Sequence, residues 1–189
     1  MIANESAADE YREIAGRFTG LVEAVPDDAV WERPSPVPEW TARDVVRHLV
    51  EWFPGFLAGG AGVTLPQGPG VDDDPAAAWR TMSDGVQAVL DDPAYAQRLL
   101  VNPHIGEVPL PDAISRFFTA DVFMHTWDLA RATGANETLD PQRCAVMLDG
   151  MLPLDELLRS SGQFGAAVEV PDDADATTRL MAFIGRDPR

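Results

Sequence analysis

The sequence contains no lysine; all 14 of its basic residues are arginine. That absence removes Schiff-base, pyridoxal and P-loop lysine chemistry from consideration. A single cysteine, Cys144, has no partner within the chain for a disulfide, and it cannot build a multi-cysteine zinc or iron–sulfur site. Basic charge is scarce overall. Against 14 Arg stand 31 Asp and Glu, for a net charge of −17, so the footprint of a nucleic-acid-binding module is missing. Long apolar runs are missing as well. The longest, residues 52–65, is interrupted by Pro54 and four glycines and is too short to span a bilayer. The N-terminus is acidic and has no apolar stretch of secretory type, so a cytoplasmic location without membrane contact is expected. If a metal is bound, the three histidines (His48, His104 and His125) and the carboxylates must hold it.

What is present describes an ordinary globular chain. Its 189 residues suit one domain, expected over 1–189, and 46% apolar content is enough for a core. Apolar residues recur at helical steps in four stretches, about 5–25, 41–58, 75–90 and 111–133. Thr41 followed by Asp44 forms a variant of the capping box, Pro75 sits at a first helical position, and Gly134 fits the turn that ends the fourth helix. Pro34, Pro36 and Pro38 make residues 31–39 an extended connector. The segment 59–75, rich in Gly and Pro, reads as a loop whose three aspartates cap the next helix. Residues 91–111 form another connector, broken by Pro93, Pro103 and Pro109 and carrying His104. A C-terminal extension, 141–189, adds a helix over 141–160 that Pro153 should divide, a strand at 167–170 and a short helix at 175–184. The predicted fold is all-α, a four-helix bundle with this extension.

The polar residues on the apolar seams carry the information. On the second helix, Val45, His48, Leu49, Trp52 and Phe56 share a stripe. On the fourth, the seam reads Ile114, Phe118, Asp121, His125, Asp128, Ala132. Three of those six are ionisable, and burying an unpaired charge costs several kcal/mol or more. Asp121 and His125 project from one face a turn apart and can share a ligand. With His48 from a facing helix they give two imidazoles and a carboxylate, a ligand set with open positions. Two plainer readings stand beside it: His48 as a core histidine bonded to a carbonyl, and Asp121–His125 as an ion pair.

At this point the sequence resembles a known family. The run from Trp40 through Asp44 and His48 to Leu49, the run Asp121, His125, Trp127, Asp128, Arg131, Gly134, and the ending from Phe183 through Arg186 are similar to the DinB-like superfamily. More narrowly, they resemble metal-binding proteins related to the N-terminal domain of mycothiol-dependent maleylpyruvate isomerase. The resemblance implies a four-helix bundle holding a divalent metal, zinc or nickel, through His48, Asp121 and His125. Asp at 121 departs from the Glu or His of many relatives, and the shorter carboxylate would shift or weaken the metal. Within these 189 residues no counterpart is expected for the separate C-terminal domain of the full isomerase. Two functions are therefore carried forward. One is a metal- and thiol-dependent S-transferase or isomerase that activates mycothiol or another low-molecular-weight thiol toward an electrophilic substrate. The other is a non-catalytic metal-binding stress or interaction module. Trp127 and Asp128 are expected to bind the cofactor or orient a ligand histidine, with a salt bridge to an arginine as the alternative for Asp128. No catalytic residue is assigned, a homodimer is admitted as one assembly, and Cys144 is expected to be a buried, inert thiol.

Overall fold

The computed structural model describes residues 6–160, 162 and 164–189. Helix α1, Ala7–Glu23, is capped by Ser6, whose side chain accepts from the Asp9 N–H. The start of the first predicted helix at residue 5 lies outside the described residues, as does the first half of the acidic N-terminal segment, residues 1–5. A short α2, Asp28–Trp31, precedes the proline-rich connector. Helix α3, Ala42–Ala61, begins with the Thr41/Asp44 capping box, both halves of which are formed, and ends where Gly62 turns left-handed. It runs three residues beyond the predicted 58, because Pro54, Gly59 and Gly60 are all accommodated within it. Helix α4, Pro75–Asp91, takes Asp74 as its cap, whereas Asp72 pairs with Arg47 at 2.8 Å.

The predicted fourth helix is continuous but not uniform. Its first turn is α5, Leu110–Ala113; residues Ile114–Thr119 are π-helical; and α6, Ala120–Thr133, ends at Gly134 with φ 77°. Helices α1, α3, α4 and α6 form the bundle, with α1 packed on α4 and α6, and α3 also packed on α4 and α6. Large buried rings fill its centre. Phe53 and Phe118 stack face to face at 4.0 Å, Phe18 meets Trp79 at 4.5 Å, and Tyr11 donates its hydroxyl to Ser83 at 3.0 Å. Such burial is the main stabilising force of a bundle of this kind.

Two connectors pack against the bundle. The loop after α3 buries Val63, Leu65 and Val71. Between α4 and α5 the chain forms a hairpin, β1 Leu99–Asn102 paired antiparallel with β2 Gly106–Pro109, and Leu100 buried beneath it. The exposed His104 lies in its turn.

The C-terminal part begins with α7, Pro141–Met151; a 3-10 turn at Leu152–Leu154 then contains Pro153 and leads into α8, Asp155–Ser160. Pro153 does divide the predicted helix. No strand forms at 167–170; the segment is tied to the last helix, α9 Ala176–Phe183, by one hydrogen bond from Val168 N–H to the Ala182 carbonyl. Among the described residues, no helix is long and apolar enough to cross a membrane.

Candidate metal centre

Direct packing of α3 on α6 brings the two histidine-bearing motifs together. The fully buried stripe of α3 is Val45, Val46, Leu49, Phe53 and Leu57, and His48 and Trp52 lie along its border rather than at its centre. That border faces Asp121 and His125. His48 Nε2 stands 3.0 Å from Asp121 Oδ2, and His125 Nε2 stands 3.5 Å from Asp121 Oδ1. One donor atom from each of His48, Asp121 and His125 lies within 4.8 Å of the others. Access is one-sided. The His125 side chain is only 6% exposed, against 19% for Asp121 and 31% for His48, so the cluster opens on the His48 side.

Each of the three residues is held by a further contact. Trp52 donates its indole N–H to Asp121 Oδ2 at 3.0 Å. His125 Nδ1 hydrogen-bonds Asp128 Oδ2 at 2.9 Å, which leaves Nε2 turned toward Asp121. Trp40 lies against both imidazoles, stacked on His125 at 5.7 Å and tilted against His48 at 5.1 Å. The proline-rich connector aims this ring. Ser35 N–H donates to the Trp40 carbonyl, Trp40 N–H donates to the Val37 carbonyl, and Glu39 adopts a left-handed φ of 68° immediately before Trp40. A non-glycine residue in that region is strained, and such strain concentrates at functional sites.

The charges are mutually dependent. Burial pushes the Asp121 carboxyl up, but the His125 charge and the His48 hydrogen bond outweigh it, and the group titrates below the ordinary carboxylate range. Burial likewise disfavours the His125 imidazolium, yet the Asp121 charge and the Asp128 hydrogen bond raise its pKa overall. Asp128 is wholly buried. Desolvation there is overcome by His125 and by Arg186, which hold its pKa down.

Of the site residues expected from sequence, His48, Asp121, His125 and Asp128 are brought together. Trp127 is buried beneath the Arg131 guanidinium, 5.0 Å from its ring centroid, and borders a separate cavity of about 250 Å³ with Glu137, Asp175 and Pro188. Asp128 combines the two roles weighed for it, touching a candidate ligand histidine and an arginine, Arg186. Cys144 is buried on α7 with Sγ 3.6 Å from Thr177 Oγ1, and burial raises its pKa. Sequence reasoning missed the Trp52 hydrogen bond, for which the signal was its position one turn after His48 on the same helix. It also missed Arg186 as the partner of Asp128, for which no local spacing exists.

Residues 11–130 match the family described as the mycothiol maleylpyruvate isomerase N-terminal domain. The chain belongs to that family. The family span includes His48, Trp52, Asp121, His125 and Asp128 and stops before Arg186. Among similar proteins are uncharacterized proteins of Mycobacterium tuberculosis from strains CDC 1551 and H37Rv. Each is 30% identical over 159 residues, covering 82% of this chain and 85% of the relative. No solved structure matches the chain. The metal implied by the family fits the residues present. Two imidazoles and a carboxylate converge, one imidazole has its other nitrogen committed to a buried carboxylate, and the carboxylate is fixed by an indole N–H.

Proposed function

We propose that this member of the mycothiol maleylpyruvate isomerase N-terminal domain family holds a divalent metal, zinc or nickel, at His48, Asp121 and His125. We further propose that it acts as a thiol-dependent transferase or isomerase on an electrophilic small molecule, with a low-molecular-weight thiol of the mycothiol type as its cofactor. The observation that supports this most is the convergence of three donors with one open side, each backed by a contact that fixes its orientation. A divalent cation held by such a set supplies Lewis acidity that lowers the pKa of a bound thiol and makes it a thiolate near neutral pH.

The chain's own residues define the rest. Asp128 holds the Nδ1–H of His125, so that Nε2 presents its lone pair to the centre. Trp52 holds Asp121 Oδ2 and thereby limits rotation of the carboxylate. Trp40 covers the two imidazoles with an apolar plane and restricts water there. Cys144, buried on α7 with a raised pKa, is unsuited to be the nucleophile, so the sulfur comes from a small molecule entering on the His48 side.

A second reading, a metal-binding module without catalysis, is favoured by one observation. The His125 and Asp121 side chains are only 6% and 19% exposed, which leaves little open surface at the centre for a thiol. Titration of zinc-loaded protein with a low-molecular-weight thiol separates the two readings. The enzyme reading expects thiol binding, and turnover of an electrophile that is lost in His125→Ala. Metal binding without thiol binding leaves the non-catalytic module.

A further inference from the structure

The last helix ends on a turn that delivers a cation to the back of the candidate metal centre. Leu180, Met181 and Ile184 are buried against the rest of the protein and fix where α9 sits. Gly185 then takes φ 89°, and a Cβ there would lie 2.8 Å from the Gly165 Cα, so only glycine fits. The Gly185 N–H donates to the Ala182 carbonyl and the Arg186 N–H to the Met181 carbonyl, the paired bonds of a Schellman motif. The side chain at the end of that motif is Arg186, and it points inward with 9% exposure.

Its guanidinium grips Asp128 from both sides. Nε lies 3.1 Å from Oδ1, Nη2 lies 3.1 Å from Oδ2, and Nη1 donates to the Ile184 carbonyl at 3.3 Å. Oδ2 is also the oxygen that meets His125 Nδ1. A forked arginine fixes the plane of a carboxylate as a single ammonium cannot, and a fixed carboxylate fixes the imidazole bonded to it. Arg186 and Asp128 are 58 positions apart, so this order exists only when α9 is docked.

We propose that Arg186 is a positioning residue for the metal centre. Through Asp128 it holds His125 with Nδ1–H engaged and Nε2 available, so docking of α9 and metal affinity are linked. The link rests on the metal-binding part of the proposed function and is independent of thiol chemistry. Linkage is reciprocal, so a bound metal must also tighten α9.

The test uses the full chain, its Arg186→Met and Arg186→Lys variants, and zinc as the probe. Zinc affinity is measured by competition with a chromophoric chelator, the His125 Nδ1–H by nitrogen and proton resonance of the zinc-bound protein, and α9 by amide exchange with and without zinc. Arg186→Met is expected to lose roughly 10–100-fold in zinc affinity, to show a rapidly exchanging Nδ1–H, and to lose the zinc-induced protection of α9. Arg186→Lys, which retains the charge but not the fork, is expected to recover part of the affinity and keeps the test valid if the Met variant unfolds. Zinc affinity equal to the parent in both variants, with a slowly exchanging Nδ1–H, would overturn the proposal while leaving the metal site intact. A parent chain that binds no zinc overturns the metal reading together with the link.

Discussion

Trp52 and Asp121 are joined by one hydrogen bond, from the indole Nε1 to Oδ2 at 3.0 Å, across the packed faces of α3 and α6. His48 Nε2 faces the same oxygen, so Trp52 decides how the carboxylate is presented. Trp52→Phe keeps a ring against Phe53 and Phe56 but deletes the donor. The expected result is a loss of about 10-fold or more in zinc affinity, because contacts that orient a ligand carry effects of that size. Chelator competition measures it, and an unchanged affinity would show that Asp121 needs no such restraint.

The protonation states of the cluster give a pH dependence of definite sign. Asp121 and Asp128 titrate below their ordinary values, so their stabilisation is present above roughly pH 4 and lost as pH falls through the lowered values. His125 titrates above its ordinary value. Its contribution is present below roughly pH 6.5 and lost as pH rises through the raised value. The metal-free protein should therefore lose stability on going upward from neutral pH. Zinc competes with the His125 proton, so its affinity should rise over the same interval, by up to ~10-fold per pH unit. Melting curves with and without zinc across that range check both slopes. Zinc stabilisation that does not change with pH contradicts the assignment of His125 as a donor.

Glu39 is exposed and sits at φ 68° directly before Trp40. Glycine relieves the strain at that φ but increases the freedom of the unfolded chain, and the two effects oppose one another. Glu39→Gly should stay within about 1 kcal/mol of the parent, whereas β-branched Glu39→Val should cost ~1–3 kcal/mol. Chemical denaturation measures both. Equal stability of the two variants would show that the connector adapts freely and does not hold Trp40 against the histidines.

Phe53 and Phe118 stack at 4.0 Å with ring planes 7° apart, and Phe118 lies in the π-helical stretch before Asp121. Truncation by Phe118→Ala should destabilise by ~3–5 kcal/mol, whereas Leu157→Ala, on the exposed side of α8, should change stability by less than about 0.5 kcal/mol. Urea unfolding of both variants makes the comparison.

The bundle was readable because apolar residues at steps of three and four mark each helix that contributes to it. Asp121, His125 and Asp128 were readable for the same reason, as charges on an apolar seam. The π-helical stretch Ile114–Thr119 was not, since an i→i+5 bonding pattern leaves the identities of the residues unchanged. The hairpin escaped because Leu99 and Val101 face solvent while Leu100 faces the core, so no polar alternation marks the strand. Arg186 escaped as well, because a contact across 58 positions has no periodicity at all. It depends on where α9 docks, and that is set by packing.

The metal content of the purified protein tests whether the three donors hold an ion. The parent and His125→Ala, expressed and purified without chelators, are analysed for divalent metals, and circular dichroism confirms that both are helical. The parent should carry about one zinc or nickel per chain, held by His48, Asp121 and His125, and the variant little. A parent with only traces of metal, or a variant that retains as much as the parent, would contradict that assignment.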